Sequence, residues 1–137
     1  MIFTSEAGRQ LPRPDREGVG VVEEVGGVRV FVTDTAVVDE RGAVDLISQA
    51  VYDHHASWVA LEADLLGDEF FDLRTGRAGA ITQKFVQYGV GFAVVGDLTD
   101  RLAKSEPLRD WVRESNRGRS VVFVPELDEL AARLQRR

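Results

Sequence analysis

The second half of this chain alternates between apolar runs and amphipathic segments. The apolar runs cover residues 57–63, 90–95 and 120–124, and a segment with helical spacing of its apolar residues follows each one. Such alternation predicts a parallel sheet covered by helices. It also places every strand-to-helix loop at one edge of the sheet, where α/β proteins usually bind their ligands.

Two more β-branched runs, residues 19–25 and 28–33, are joined by Gly26 and Gly27. Two glycines at this place indicate a tight β-hairpin, because both tolerate a positive φ. An amphipathic segment follows at residues 40–53, with Asp39 at its N-cap position. The fold class predicted is α/β. A mixed five-stranded sheet has its strands adjacent in sequence order, with an antiparallel N-terminal hairpin followed by right-handed strand–helix units.

The length of the chain indicates one domain at residues 18–137, preceded by a flexible arm at residues 1–17. The absence of cysteine excludes a disulfide or thiolate metal site. No apolar run approaches the roughly 18 residues of a membrane span, and the N-terminus lacks a signal-peptide pattern. The formal net charge of −6 disfavours nonspecific binding to nucleic acid. We therefore expect a cytoplasmic protein with no membrane or nucleic-acid partner.

Asp34, Asp64 and Asp97 follow three consecutive predicted strands. Their carboxylates would lie at one edge of the sheet, where they could contact ligand hydroxyls or Mg²⁺. The interpretation we favour is that they end strands and cap the helices that follow. The adjacent His54 and His55 do not share a face, which makes them a poor metal chelate. We assign no catalytic residue, metal ligand or cofactor, and an enzyme is the weakest hypothesis.

Residues 72–79 lie where a loop enters the helix predicted at residues 75–88. A helix N-terminus attracts anions, so this segment suits a small anion, a nucleotide, a phosphorylated threonine or an acidic partner surface. The residues that point to binding are Asp72, Arg74, Thr75, Gly76 and Arg77. The structural alternative is that Asp72 or Thr75 caps the helix, while Gly76 and Gly79 let it pack close to a neighbour.

A second basic cluster comprises Arg109, Arg113, Arg117 and Arg119. We interpret it first as a solvated helix face, with a docking patch as the alternative. The first strand of the hairpin is predicted at the edge of the sheet, where unpaired backbone groups could support a homodimer.

Four motifs occur together in this chain: Phe70-Phe-Asp-Leu-Arg-Thr-Gly-x-Ala-Gly79, Gln83-Lys-Phe85, Ala93-Val-Val-Gly-Asp97 and Leu108-Arg-Asp-x-x-x-Glu-Ser-Asn-Arg-Gly118. In this combination the chain resembles, over residues 28–134, the bacterial family catalogued as domain of unknown function 4180. The resemblance implies family membership and no activity, because that family has no assigned function.

The predicted order of elements also resembles, more loosely, the STAS domain of sulfate transporters and anti-sigma-factor antagonists. That fold has an antiparallel first strand followed by strand–helix units. In the antagonists, an Asp-Ser pair begins the helix that corresponds to residues 75–88, and its serine is a phosphorylation switch. Here the matching stretch is Asp72-Leu-Arg-Thr75. No serine follows the aspartate, and the nearest hydroxyl is that of Thr75, further along the chain.

The leading hypothesis is a non-enzymatic regulatory domain that binds a protein partner through residues 72–79 and responds to charge or phosphorylation at Thr75. It predicts that Thr75→Glu changes partner affinity while the melting temperature stays near that of the wild type. The alternative is a small-molecule or nucleotide-binding module at the carboxyl edge of the sheet, with Asp34 and Asp97 as contacts.

Overall fold

The computed structural model describes residues 20–135, and the arm predicted at residues 1–17 lies outside the described residues. The strands are β1 (Gly20–Val25), β2 (Val28–Thr33), β3 (Trp58–Glu62), β4 (Gly91–Val95) and β5 (Val121–Val124). The helices are α1 (Glu40–Ser48), α2 (Asp68–Phe71), α3 (Arg77–Tyr88), α4 (Thr99–Ala103), α5 (Glu106–Arg117) and α6 (Leu127–Gln135). A π-helical turn extends α1 over Gln49–Asp53, and 3₁₀ turns at Ala63–Leu66 and Leu73–Thr75 precede α2 and α3.

The five strands form one mixed sheet in the order β1-β2-β3-β4-β5. β1 pairs antiparallel with β2, and the other neighbours are parallel. The hairpin turn has φ angles of 59° at Gly26 and 82° at Gly27, as expected for a two-residue glycine turn. The predicted α/β fold class, with its sequential strand order and N-terminal hairpin, is therefore confirmed.

Local capping chemistry sets the ends of the longer helices. The Asp39 carboxylate accepts a hydrogen bond from the Gly42 amide at 2.8 Å and begins α1. The Ser105 hydroxyl accepts one from the Leu108 amide at 3.2 Å and begins α5. α3 ends at Gly89, whose φ of 70° belongs to the left-handed region that glycine adopts easily.

The helices cover the two faces of the sheet unequally. α1, α3 and α5 bury their apolar residues in one large cluster, in which the rings of Phe85 and Phe92 stack at 4.2 Å. α6 packs on the opposite face through Leu130 and Leu134. The strand residues beneath it include Ala60 and Ala93, whose small side chains leave room for the leucines.

Two short helices, α2 and α4, lie between strands and the longer helices that follow them. α2 carries Phe70 and Phe71, and both rings are buried. α4 lies between β4 and α5. Helices of four or five residues are too short to show a helical period, and packing rather than propensity stabilises them.

None of the helices within residues 20–135 is long and apolar enough to cross a membrane.

Candidate functional site

A groove opens at the carboxyl edge of the sheet, between α2 with its following turn and the α4–α5 pair. Its volume is about 810 Å³, and we call it the carboxyl-edge groove. Five aspartates and three basic residues line it: Asp64, Asp68, Asp72, Asp97, Asp100, Arg74, Arg101 and Lys104. The lining is therefore strongly charged, with an excess of carboxylates.

The structure brings some of the sequence candidates together in this groove and leaves others outside it. Asp72, Arg74 and Asp97 line the groove, as does Asp64. Asp34 follows β2 and is exposed, but it is not among the residues that line the groove. The remaining candidates, Thr75, Gly76 and Arg77, form the connection between α2 and α3 beside the groove.

Arg101 occupies a central place among the charges of the groove. One of its terminal nitrogens lies 3.2 Å from an Asp68 carboxylate oxygen and 3.8 Å from one of Asp64. Its guanidinium also lies 4.4 Å from the centre of the Phe71 ring, which is a cation–π geometry. Because both aspartates are almost fully exposed, these ion pairs add little stability, and we infer that they mainly orient α4 against α2.

Asp72 and Arg74 form a local bidentate ion pair. The Arg74 Nε and a terminal nitrogen each donate to Asp72 at 2.9 Å, and the Arg74 amide also donates to it at 3.2 Å. The hydrogen bond from the Arg74 side chain lowers the pKa of Asp72, and the same bond raises the pKa of Arg74. The charge of Arg74 is thus compensated within its own turn, which makes it a weaker anchor for an anion.

Asp97 caps the turn that begins α4. Its Oδ1 accepts hydrogen bonds from the Thr99 hydroxyl at 2.5 Å and from the Thr99 amide at 2.9 Å. The bond from the hydroxyl, followed by the one from the amide, lowers the pKa of Asp97. This geometry is the capping arrangement that we favoured for the aspartates at the strand ends.

Residues 69–77 connect α2 to α3, and we call them the α2–α3 junction. The Thr75 hydroxyl faces the carbonyl oxygens of Glu69 at 2.7 Å and Asp72 at 2.9 Å, and it accepts a hydrogen bond from the Arg77 amide at 3.1 Å. A single side chain therefore joins a carbonyl of α2 and the carbonyl of the residue that follows it to the first amide of α3. Because a glutamate lacks this hydroxyl, we now expect Thr75→Glu to lower the stability of the fold, in contrast to the expectation from the sequence that the melting temperature stays near that of the wild type.

The glycines of this region do not pack closely against a neighbouring element. Gly76 has a φ of 79°, in the left-handed region that disfavours other residues. Among the described residues, no atom of another element lies within 4 Å of a Cβ placed on Gly76 or Gly79. The close packing suggested for these glycines is therefore absent, and Gly76 is required by its backbone conformation.

Arg77 points away from the groove. Its guanidinium donates to the Val38 carbonyl, and a terminal nitrogen lies 3.3 Å from Glu69. It ties the α2–α3 junction to the loop that precedes α1. Both arginines of residues 72–79 are thus engaged by groups of the protein itself, which weakens the case for an anion site there.

The arginines of α5 and the two adjacent histidines mostly contact other groups of the protein itself. In the α5 cluster, Arg109 donates to the Leu102 carbonyl at 2.7 Å, while Arg113 and Arg117 pair with acidic residues of the same helix. The His54 ring stacks on Phe31 at 4.4 Å, and His55 is exposed. Within residues 20–135, no group of three or more His, Asp or Glu side chains is arranged to hold a metal ion.

Sequence reasoning missed Asp68, Asp100, Arg101 and Lys104, which lie on or beside the two short helices. One signal was present at Asp97-Leu-Thr99, since an aspartate two residues before a threonine often forms a capping turn. That turn would have indicated α4 and hence the position of Arg101.

Comparisons with known proteins identify the family of the chain. Residues 24–134 match the family described as Domain of unknown function (DUF4180). No curated protein and no solved structure gives a significant match. Because the match covers most of the sequence, this chain belongs to the DUF4180 family.

Proposed function

We propose that this chain is a non-enzymatic regulatory domain of the bacterial cytoplasm, with a STAS-like fold, that binds a protein partner through the carboxyl-edge groove. The STAS-like assignment is supported by the order of elements, an antiparallel first strand followed by strand–helix units in sequential order. The single observation that carries the proposal is the groove itself, where the loops after β3 and β4 meet α5.

The size and lining of the groove favour a protein segment over a small molecule. Small-molecule sites are usually enclosed and mostly apolar, with a few polar groups. Here an open groove of about 810 Å³ is lined largely by charged side chains. An extended segment of another protein fits such a surface better, because it can present several charged groups along its length.

The charge of the groove favours a basic partner segment. Five aspartates face it against three basic residues, one of which, Arg74, is compensated by Asp72. The whole chain carries a formal charge of −6, so a basic segment would also be attracted from a distance.

The alternative of a nucleotide at this edge agrees with the general position of α/β ligand sites. The aspartates would, however, repel its phosphates.

Charge at Thr75 would act on the groove through the α2–α3 junction. A phosphate or a glutamate at this position lacks the hydroxyl proton and places negative charge beside the Glu69 and Asp72 carbonyl oxygens. Opening of the junction would displace Asp72 and Arg74, which form one wall of the groove. A modification outside the groove would in this way change the affinity for the partner.

A comparison of charge-reversal variants tests the proposal. The tagged wild type, the groove variant Asp64→Lys/Asp68→Lys and the control Asp45→Lys/Asp128→Lys are used to capture proteins from native lysate. All four aspartates are exposed, and the two variants change the net charge equally. We expect the wild type and the control to retain a protein that the groove variant loses, and that protein to have a basic contact segment. Capture of the same proteins by all three forms would reject the groove as the docking surface.

A further inference from the structure

The sheet has two lateral edges, which are formed by its outermost strands, β1 and β5. On the outer side of such a strand, the amide and carbonyl groups have no neighbouring strand to bond. They can therefore pair with a strand of another chain unless a side chain, helix or loop covers them. Among the described residues, the two lateral edges differ in this respect.

The β5 edge is closed by the side chain of Asn116. The Gly96 amide donates to the Val124 carbonyl at 2.9 Å, so Val124 faces β4 and the preceding residue, Phe123, turns its backbone groups outward. The Asn116 carboxamide donates to the Phe123 carbonyl at 3.1 Å and accepts from the Phe123 amide at 2.7 Å. It therefore occupies the position at which a further strand would bond.

The β1 edge has no such cover within residues 20–135. The Ser57 amide, just before β3, donates to the Arg29 carbonyl at 3.1 Å, so the backbone of Arg29 faces β3. Its partner on β1, Glu24, must then face away from the sheet, because opposite residues of an antiparallel pair either bond each other or both turn outward. The same alternation turns Val22 and Gly20 outward. No hydrogen bond among the described residues reaches the outward backbone groups of these three residues.

Although its edge is open, β1 is held firmly on both faces of the sheet. Val22 packs against the large apolar cluster that contains α1, α3 and α5 residues, and Val25 is buried in the second cluster beside α6. α6 also contacts β1 directly. The strand is thus fixed in its extended conformation, and pairing with another strand would carry little ordering cost.

We propose that two copies of this chain form a symmetric dimer by antiparallel pairing of their β1 strands, which joins the two sheets into one. Two-fold symmetry is the commonest arrangement of homo-oligomers, and it requires a surface that is complementary to itself. With Val22 opposite Val22 of the second copy, Gly20 lies opposite Glu24 and all three outward residues are used. Each of these opposite pairs exchanges two hydrogen bonds.

The charges of β1 favour this register over its neighbours. Here Glu24 lies opposite Gly20 and Glu23 lies opposite Val21, so no glutamate directly faces another. A shift of two residues toward the hairpin turn would place Glu23 opposite Glu23 of the second copy, and like charges in that position are destabilising. A shift of two residues the other way would leave outward groups of Glu24 unpaired. The strand is therefore complementary to itself in one register.

Analytical ultracentrifugation of the full chain over a range of concentrations tests the dimer. We expect the mass to rise with concentration to twice that of one chain. Val22→Pro removes the amide at the centre of the pairing and no hydrogen bond within one copy, and prolines are tolerated on edge strands at such outward positions. It should raise the Kd of the dimer by about tenfold or more, because two donated hydrogen bonds are lost per dimer. The matched control Val22→Thr keeps the amide and should dimerise like the wild type.

Disulfide formation tests the register, and it decides the question if Val22→Pro fails to fold. The chain has no cysteine, so Val22→Cys carries a single thiol. Its Cα would lie about 5.5 Å from that of its counterpart, within the range of disulfides. We expect Val22→Cys to form a covalent dimer on oxidation at least about tenfold faster than Val86→Cys, whose half-exposed site lies on α3. A wild type that stays monomeric, an equally strong dimer of Val22→Pro, or equal rates for the two cysteine variants would each overturn the proposal. Because no residue of β1 lines the carboxyl-edge groove, either proposal can fail without the other.

Discussion

At the scale of single residues, Asp97 shows how a strand-end carboxylate is used. Both hydrogen bonds to its Oδ1 come from Thr99 and favour the charged form, so the pKa of Asp97 lies below its ordinary value of 3.8. Protonation is therefore linked to loss of the cap. The stabilisation is present above the unfolded-state pKa and is lost as the pH falls through the lower folded-state pKa.

An NMR titration of Asp97 checks this linkage. We expect a pKa below 3.8 in the wild type and a value closer to 3.8 in Thr99→Val, because that variant removes the hydroxyl bond, the largest cause of the shift, and keeps the amide bond. A wild-type pKa of Asp97 at or above 3.8 would contradict the capping geometry.

The arginines show what a sequence does not reveal about individual residues. Arg74, Arg77 and Arg119 all appear as basic residues in loops or helix starts. Arg74 is compensated by Asp72, and Arg77 ties the junction to the Val38 carbonyl, whereas Arg119 makes no ion pair with any residue in the range 20–135. Only the pairing at Asp72 lies close enough in sequence to be expected. The other surroundings depend on contacts across the fold.

At the scale of elements, the α2–α3 junction is the connection most sensitive to one side chain. Thr75→Val removes the hydroxyl that faces two carbonyls and caps the Arg77 amide, which should lower the free energy of unfolding by about 1 kcal/mol. Thr75→Glu should cost more, because its charge faces the same carbonyl oxygens. Thr75→Ser keeps the hydroxyl and should stay close to the wild type.

Urea denaturation of these three variants measures the differences directly. The expected order of stability is wild type and Thr75→Ser, then Thr75→Val, then Thr75→Glu. If Thr75→Glu is as stable as the wild type, the hydroxyl is not a structural link. Unchanged stability is what the interpretation of Thr75 as a charge-sensitive binding position expects.

The fold and the site could be predicted from the sequence only where the elements are long enough to show a pattern. The longer helices and the strands have a clear period or a buried apolar run, and Asp39, Ser105 and Gly89 mark helix ends by their chemistry. Asp72 and Asp97 could be placed at the carboxyl edge from topology alone. Asp68 and Arg101 could not, because α2 and α4 are short helices whose positions depend on contacts such as the ring of Phe71 beneath Arg101.

At the scale of the whole molecule, the two edges of the sheet differ in charge. The carboxyl-edge groove has an excess of aspartates, whereas three arginines lie together at the opposite edge, near the start of β5: Arg117, Arg119 and Arg133. The net charge of −6 conceals this separation. The basic partner segment that we propose would therefore be attracted to the carboxyl edge and repelled by the opposite edge.

The second face of the sheet depends on α6 for its cover. Among the described residues, α6 is the helix on the second face, and it contacts both edge strands, β1 and β5. Leu130 is 0% exposed on that helix, so Leu130→Ala leaves a cavity between helix and sheet. We expect it to lower the free energy of unfolding by about 2–5 kcal/mol, as buried leucines commonly do. Leu127→Ala, at a half-buried position of the same helix, should cost clearly less. Urea unfolding of both variants measures this contrast. Equal small losses would mean that α6 is not what holds this face of the sheet together.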